Sequence, residues 1–436
     1  MKNLQFPETF VNLISVLQDN FSKASFEHFR VLLTAILLGQ PKKTVTAGLR
    51  LARPKGHFCN PCRFLSQYVW DAAHLGLSVL TLLLRCLPID APLLFALDDT
   101  LVAKYGPKIF GRALHFNHTG KPNEPRYISG HNWVVVGLLY FSSLFSKWIC
   151  LPILAELFVP ENALPKGKEP RSRIELAIEL LHRIKEHINK ELTVIADGLY
   201  AKAQLVTFCV ESQITFISRL RSDAALYEKP RGRKRRGRPR KYGARLPKLN
   251  EIAANKKGFK KYTMKLYGEL HQLQIKSFEA LWKPAGTVIK VVMVYFDRAK
   301  TANYFFSTNL SLSDTQIIEW LAARFSIETL FSDLKEHLGM TDWQCRIEKS
   351  VVRSVPLTCV ATSLLMLWSY QQTKRKQLGL WTKYAWYTNK ASPSVHDMLQ
   401  QLKAECLSKT IFVALPPEAI GKQKYRQIEL FLRAAA

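Results

Sequence analysis

The sequence is short of acid. Its 436 residues hold 34 Asp and Glu against 63 Lys and Arg, a formal net charge of +29 at pH 7. That imbalance argues against the near-neutral surface of an ordinary metabolic enzyme. It points to a polyanionic partner, nucleic acid before an anionic membrane. Cysteine is too sparse for a disulfide framework, with eight in the chain. Cys59 and Cys62 form a lone CxxC whose only neighbour of ligand type is His57. A zinc site needs four ligands, so ordinary reduced thiols are expected. An unbroken apolar run of ~20 residues, the length of a membrane span, is also missing. Trp133 to Phe158 is interrupted by Ser146 and Lys147 and reads as a strand pair, and Val355 to Tyr370 reads as a buried helix. Met1 to Leu17 carries Glu8 and lacks a basic segment and a small-residue cleavage site, so no signal peptide is expected. The sequence has no internal repeat, and a cytoplasmic, nucleoid-associated protein without a membrane partner is the expectation.

The 47% of hydrophobic residues supports a large core. Apolar residues recur at helical spacing over Phe10–Phe21, Phe26–Leu38 and Ser66–Leu87, with Pro41, Pro54 and Pro61 as punctuation. Basic residues such as Lys42, Lys43, Arg50 and Arg53 gather between them, which suits a helical DNA-binding region. From Ala91 the texture changes. Leu93–Leu97, Trp133–Tyr140, Trp148–Leu154, Leu192–Ala196 and Gln213–Arg219 read as strands, with helices over Arg171–Lys190 and Ala201–Val210. Three early antiparallel strands followed by helix-linked strands predict an α/β mixed sheet covered on both faces. Alternating segments up to Phe306 predict a β-rich insertion. A helix is expected over Asp314–Leu338 with Ser313 as its cap, then a largely helical tail.

Few acids make the placed ones informative. Asp98 and Asp99 follow a buried-type strand and Asp197 ends another. Glu328 sits on a helix among Phe325, Ile327, Leu330 and Phe331. Carboxylates meeting at one sheet edge repel unless neutralised, and a hard cation such as Mg²⁺ does that while also binding phosphate oxygens. Arg324, Glu328 and Lys335 are spaced by four and seven residues. At ~100° per residue they share one helix face, a surface suited to a metal beside a DNA phosphate.

These residues resemble the motifs of bacterial insertion-sequence transposases of the IS4/IS701 type, within the DDE superfamily. Asp98-Asp99-Thr100 with Lys104 and Gly106 resembles the first acidic motif. Asp197-Gly198-Leu199-Tyr200 resembles the second, and Arg324-x3-Glu328-x6-Lys335 the third. A Tyr that often precedes the Arg by three residues is Leu321 here. The resemblance covers Leu93 to Gly339. It implies an RNase H-like core with a β-rich insertion, flanked by helical N-terminal and C-terminal regions. The implied division is a helical DNA-binding domain at 1–90, core at 91–221, insertion with a basic arm at 222–307, the last core helix at 308–345 and a helical region at 346–436.

The resemblance further implies metal-dependent cut-and-paste transposition. Asp99, Asp197 and Glu328 would hold two Mg²⁺, with Mn²⁺ as a substitute, and Arg324 and Lys335 would contact phosphates. Asp99 is preferred to Asp98 because the family pairs its Asp with a following Thr or Ser. Neighbouring strand residues face opposite ways, so only one of the two enters the site. The partners implied are DNA, as terminal inverted repeats and target, and a second copy in a homodimer on paired ends. A repurposed, inactive DNA-binding relative and a structure-specific nuclease without strand joining are the alternatives.

The basic arm carries its own signal. Lys229 to Lys261 holds 15 Lys and Arg against one acid, Glu251. Within it Arg236-Gly237-Arg238-Pro239-Arg240, followed by Lys241, resembles an AT-hook core, whose arginines suit a narrow minor groove. A solvated phosphate-binding loop is the other reading. Trp282, inside the insertion, is a candidate to hold a flipped base, against the alternative of a buried indole. His131, at the start of a strand, could lie near the acids or be structural.

Overall fold

A computed structural model describes residues 4–54, 56–88, 90–117, 125–230, 241–375, 390 and 392–414. Near the N-terminus the apolar periodicity gives five helices: α1 (Glu8–Ser15), α2 (Lys23–Leu38), α3 (Val45–Ala52), α4 (Asn60–Ser66) and α5 (Ala72–Leu84). Ser22, Thr44 and Asp71 cap α2, α3 and α5 by accepting the N–H of Ser25, Ala47 and His74. The helix expected over Ser66–Leu87 is α5, which starts later, at Ala72, after α4 has ended at Ser66. Asp71 starts α5 anew, and the Trp70 indole N–H donates to the Phe64 carbonyl at 2.8 Å. The short helices α3 and α4 fill the basic stretch that offered no long apolar stripe.

The central strand is β1 (Leu93–Ala103), whose first five residues are all buried. A strand with both faces covered reads as a continuous apolar run. It is followed by β2 (Ala113–Phe116), β3 (Tyr127–Ser142), β4 (Lys147–Phe158), α6 (Arg173–His187), β5 (Leu192–Ala196), α7 (Ala203–Glu211) and β6 (Ile214–Arg219). Then come β7 (Leu226–Tyr227), α8 (Leu249–Ala254), β8 (Lys260–Leu266), β9 (Glu269–Trp282), β10 (Thr287–Phe296) and β11 (Asn303–Ser307). Among the described residues these strands form one eleven-stranded sheet in the order β2-β3-β1-β5-β6-β11-β10-β9-β7, with β4 also on β3 and β8 also on β9. β3 runs antiparallel to β1 and β4, whereas β1, β5 and β6 are parallel. The mixed sheet and its helices are the RNase H-like arrangement expected. The strands of the insertion do not make a sheet of their own. β11 pairs with β6 and carries the core sheet outward.

Ser313 caps the next helix through the Gln316 N–H at 3.2 Å. The helix expected over Asp314–Leu338 is broken at Phe325 into α9 (Asp314–Arg324) and α10 (Ser326–Glu336). There the Phe325 N–H bonds to the Ala322 carbonyl in a tighter turn. α11 (Glu348–Lys374) follows, and α12 (Val395–Ala414) is the last described element. By length and composition α11 could cross a membrane, but 94% of its most apolar window is buried inside the protein. It is a core helix, tied to β4 by the Ser363 hydroxyl on the Pro152 carbonyl at 2.7 Å.

Candidate active site

The parallel strands align their ends. Leu97 of β1 pairs with Ala196 of β5, and Ala196 pairs with Ser218 of β6. One residue further along each strand stand Asp98, Asp197 and Arg219. The carboxyl ends of parallel strands are where open α/β sheets place ligands. β1 itself continues past the acids, because β3 pairs with it as far as Ala103. Asp98 and Asp99 are thus mid-strand residues, not strand-end residues, and their side chains leave on opposite faces.

Asp98 faces α9 and α10. Its Oδ2 accepts from Arg324 Nη1 at 2.7 Å, and Arg324 Nη2 donates to Glu328 Oε1 at 3.0 Å. The Asp99 backbone N–H donates to Asp98 Oδ1 at 2.9 Å. Burial pushes the Asp98 carboxyl up to about 7. Arg324 and the Asp99 N–H oppose that rise, and the charges of Asp99 and Asp197 add to it. Asp197 leads a 3-10 turn, Gly198–Tyr200, and its carbonyl accepts from the Ser218 hydroxyl at 3.1 Å. It lines a 340 Å³ pocket with Arg219, Tyr267, Asn303, Leu321 and Arg324.

Asp99, the acid preferred from the sequence, points to the other face of β1, away from Arg324 and Glu328. Its Oδ2 accepts from Asn132 Nδ2 at 2.9 Å and from Arg173 Nη1 of α6 at 3.1 Å. Its Oδ1 accepts from the Tyr200 hydroxyl at 3.1 Å. Tyr200 is fully buried, and burial with the Asp99 and Asp98 charges drives its ionisation well above the ordinary tyrosine range. Asp99 therefore joins β1 to β3, α6 and the turn after β5. Only the alternation of strand residues could have warned of this, and it cannot say which of two neighbours is inside.

The other expected site residues divide. Glu328 is brought to Asp98 through Arg324. Lys335 lies two turns further along α10, half-buried, and burial lowers its pKa. Lys241 is exposed, its ammonium 5.8 Å from the Tyr242 ring centroid. Arg236, Arg238 and Arg240 lie outside the described residues. Trp282 is only 6% exposed and packs on Phe306 with centroids 5.4 Å apart, while its remaining exposed edge lines a 590 Å³ cleft. The bulk of the indole packs within the sheet. His131 bonds through Nε2 to the Phe110 carbonyl at 2.8 Å, and burial lowers it to about 4, a neutral structural histidine. Lys104 reaches the carbonyls of Thr341 and Trp343, both at 2.9 Å, and fastens β1 to the loop after α10. Cys59 and Cys62 are free thiols.

Among the described residues no three Asp, Glu, His or Cys side chains stand close enough to hold a metal ion as they are. Between two of the acids lies the Arg324 guanidinium. Residues 16–274, more than half of the chain, match the family described as DDE superfamily endonuclease. The chain belongs to the DDE superfamily endonucleases. No curated protein matches it. The matched stretch of this DDE endonuclease includes Asp98 and Asp197 and ends before Arg324 and Glu328. Membership makes it a nuclease or transposase-like enzyme acting on DNA, in a family that typically uses divalent metal.

Proposed function

We propose that this protein is a cut-and-paste DNA transposase of the IS4/IS701 type, with Asp98, Asp197 and Glu328 as its metal-holding acids. The observation that carries the reading is the Arg324 fork, which joins Asp98 to Glu328 beside Asp197, acids separated by up to 230 residues in sequence. A three-carboxylate donor set fits a hard divalent ion, Mg²⁺ with Mn²⁺ as a substitute. The guanidinium already supplies positive charge where the acids need it. Such an ion would polarise the phosphodiester and help form the attacking oxygen. For the acids to bind it, Arg324 gives up both carboxylates and is then free to meet a DNA phosphate. Lys335 is a second phosphate contact along α10.

In this reading water first cleaves the element end, and the freed 3′-hydroxyl then joins target DNA. The helical residues 1–90 bind terminal inverted repeats, the insertion at 222–307 holds flanking DNA, and two copies pair the ends at the nucleoid. Residues 91–221 and 308–345 supply the core, and 346–436 support it.

The test is nicking of a duplex that carries the inverted repeats flanking the gene itself, with Mg²⁺ or Mn²⁺. The wild-type chain nicks and joins, and Asp197→Ala binds the duplex without nicking. Nicking without joining to a target duplex leaves a nuclease. Binding without nicking under either metal leaves a repurposed DNA-binding relative.

A further inference from the structure

Arg219 takes the third place in the row across the parallel strands that begins with Asp98 and Asp197. Its guanidinium is exposed, and its hydrogen-bond partner is neutral: Nη2 donates to Asn303 Oδ1 at 2.9 Å. Among the described residues no acid pairs with it. Arg219 and Asn303 line the 340 Å³ pocket of Asp197, and both also line a second cleft of 590 Å³. The two hollows meet at this side chain.

The second cleft runs between the turn after β5 and the segment that follows β6. Gly198, Ala201 and Lys202 form one wall, and residues 221–225 the other. Lys202 is exposed and has no acidic partner among the described residues. The one acid in the lining, Asp223, is already neutralised by Arg221, with two bonds of 2.9 Å. Lys283, next to Trp282 of the lining, stacks its ammonium over Tyr227 and Tyr242 at the foot of the basic arm. The cleft thus carries surplus positive charge beside the acid pocket. Its volume is that of a small-ligand site and holds one or two nucleotides, not a duplex.

We infer that this cleft is the track for a single DNA strand next to the reacting phosphate, with Arg219 and Lys202 as its phosphate contacts. The inference rests on the nuclease reading of the acid pocket for its direction and adds a subsite to it. A cationic groove that follows one backbone is the general device for holding single strands.

The test compares two fluorescein-labelled duplexes in EDTA, one blunt and one with a six-nucleotide single-stranded 3′ extension. Full-length protein binds the extended duplex about tenfold more tightly. Arg219→Gln removes the charge while leaving an amide for Asn303, and Lys202→Gln alters an exposed side chain, so both variants fold. Each loses most of the preference, binds the blunt duplex as before, and lowers the salt slope on the extended duplex by about 0.7. Arg219→Lys keeps the slope. Equal affinity of wild type for both duplexes overturns the track, and so does a Gln variant that weakens both duplexes alike. Nicking with Mn²⁺ is scored separately on wild type. Nicking without the preference sinks only the track, and the preference without nicking sinks only the nuclease.

Discussion

The two faces of β1 treat neighbouring acids in opposite ways. On the α6 face, Asp99 is held by Asn132, Arg173 and Tyr200, so both its oxygens are occupied by donors fixed to the protein. On the face of α9 and α10, Asp98 meets its own neighbour's backbone and one side chain, Arg324. A carboxylate held by donors from three separate elements is a structural anchor, because a ligand would have to displace several good bonds at once. A buried carboxylate relieved by one side-chain cation has fewer bonds for a ligand to displace. The same residue type, one position apart, is thus fastened on one side and available on the other.

The largest effect expected is on the available side. Asp98→Asn should lower metal-dependent nicking about a thousandfold, the several kcal/mol a polarising ion supplies, measured as single-turnover rates. Near-wild-type nicking by Asp98→Asn, with loss in Asp99→Asn, would reverse the assignment of the two faces. The second effect is on pH. Asp98 is pushed up to about 7 from an ordinary value near 4. Between those values the folded protein binds the proton more tightly than the unfolded chain, so metal-free stability falls as pH rises and levels off above about 7. Asp98→Asn lacks this penalty. The wild type should therefore lose up to about 4 kcal/mol relative to the variant between pH 4 and 8. Denaturant melts in EDTA read it, and a constant gap across that range would show that burial does not govern Asp98.

Third comes the anchored side. Asp99→Asn removes the charge that Arg173 needs, in a site only partly screened from water. A loss of about 2–3 kcal/mol in stability is expected, with nicking reduced about tenfold to a hundredfold through the displaced Asp98 backbone. Stability unchanged in this variant would deny Asp99 its anchoring role.

The sequence disclosed a good part of this arrangement. Continuous apolar runs marked β1 and β5, because strands buried on both faces have no polar partner positions. The four-residue spacing of Arg324 and Glu328 survived the break at Phe325, since the turn there is only tightened. What stayed hidden depends on distant partners. The different surroundings of Asp98 and Asp99 are set by Arg324 at the end of α9 and Arg173 of α6, on opposite sides of β1 and 74 or more residues away. Trp282 looked available because neighbouring sequence cannot show Phe306 beneath its ring. Arg219 carries no motif at all, and only the parallel register beside Asp197 brings it to the pocket.

The finest probe of the contrast is Tyr200→Phe. It deletes one hydroxyl and leaves the ring that fills the core, so no cavity is created. Asp99 Oδ1 then loses its donor, while Asn132 and Arg173 still hold Oδ2. One charge-assisted hydrogen bond lost at a site with two donors remaining should cost about 1–2 kcal/mol. Asp98 shares no side-chain bond with Tyr200, so the pH dependence that Asp98→Asn abolishes should persist in Tyr200→Phe. The informative measurement is therefore the variant's melt at pH 5 and pH 8. A uniform drop at both supports two faces that act separately. A drop confined to one pH would mean that the ionisation of Asp98 and Asp99 is electrostatically coupled across β1, and the strand would no longer divide an anchor from a site.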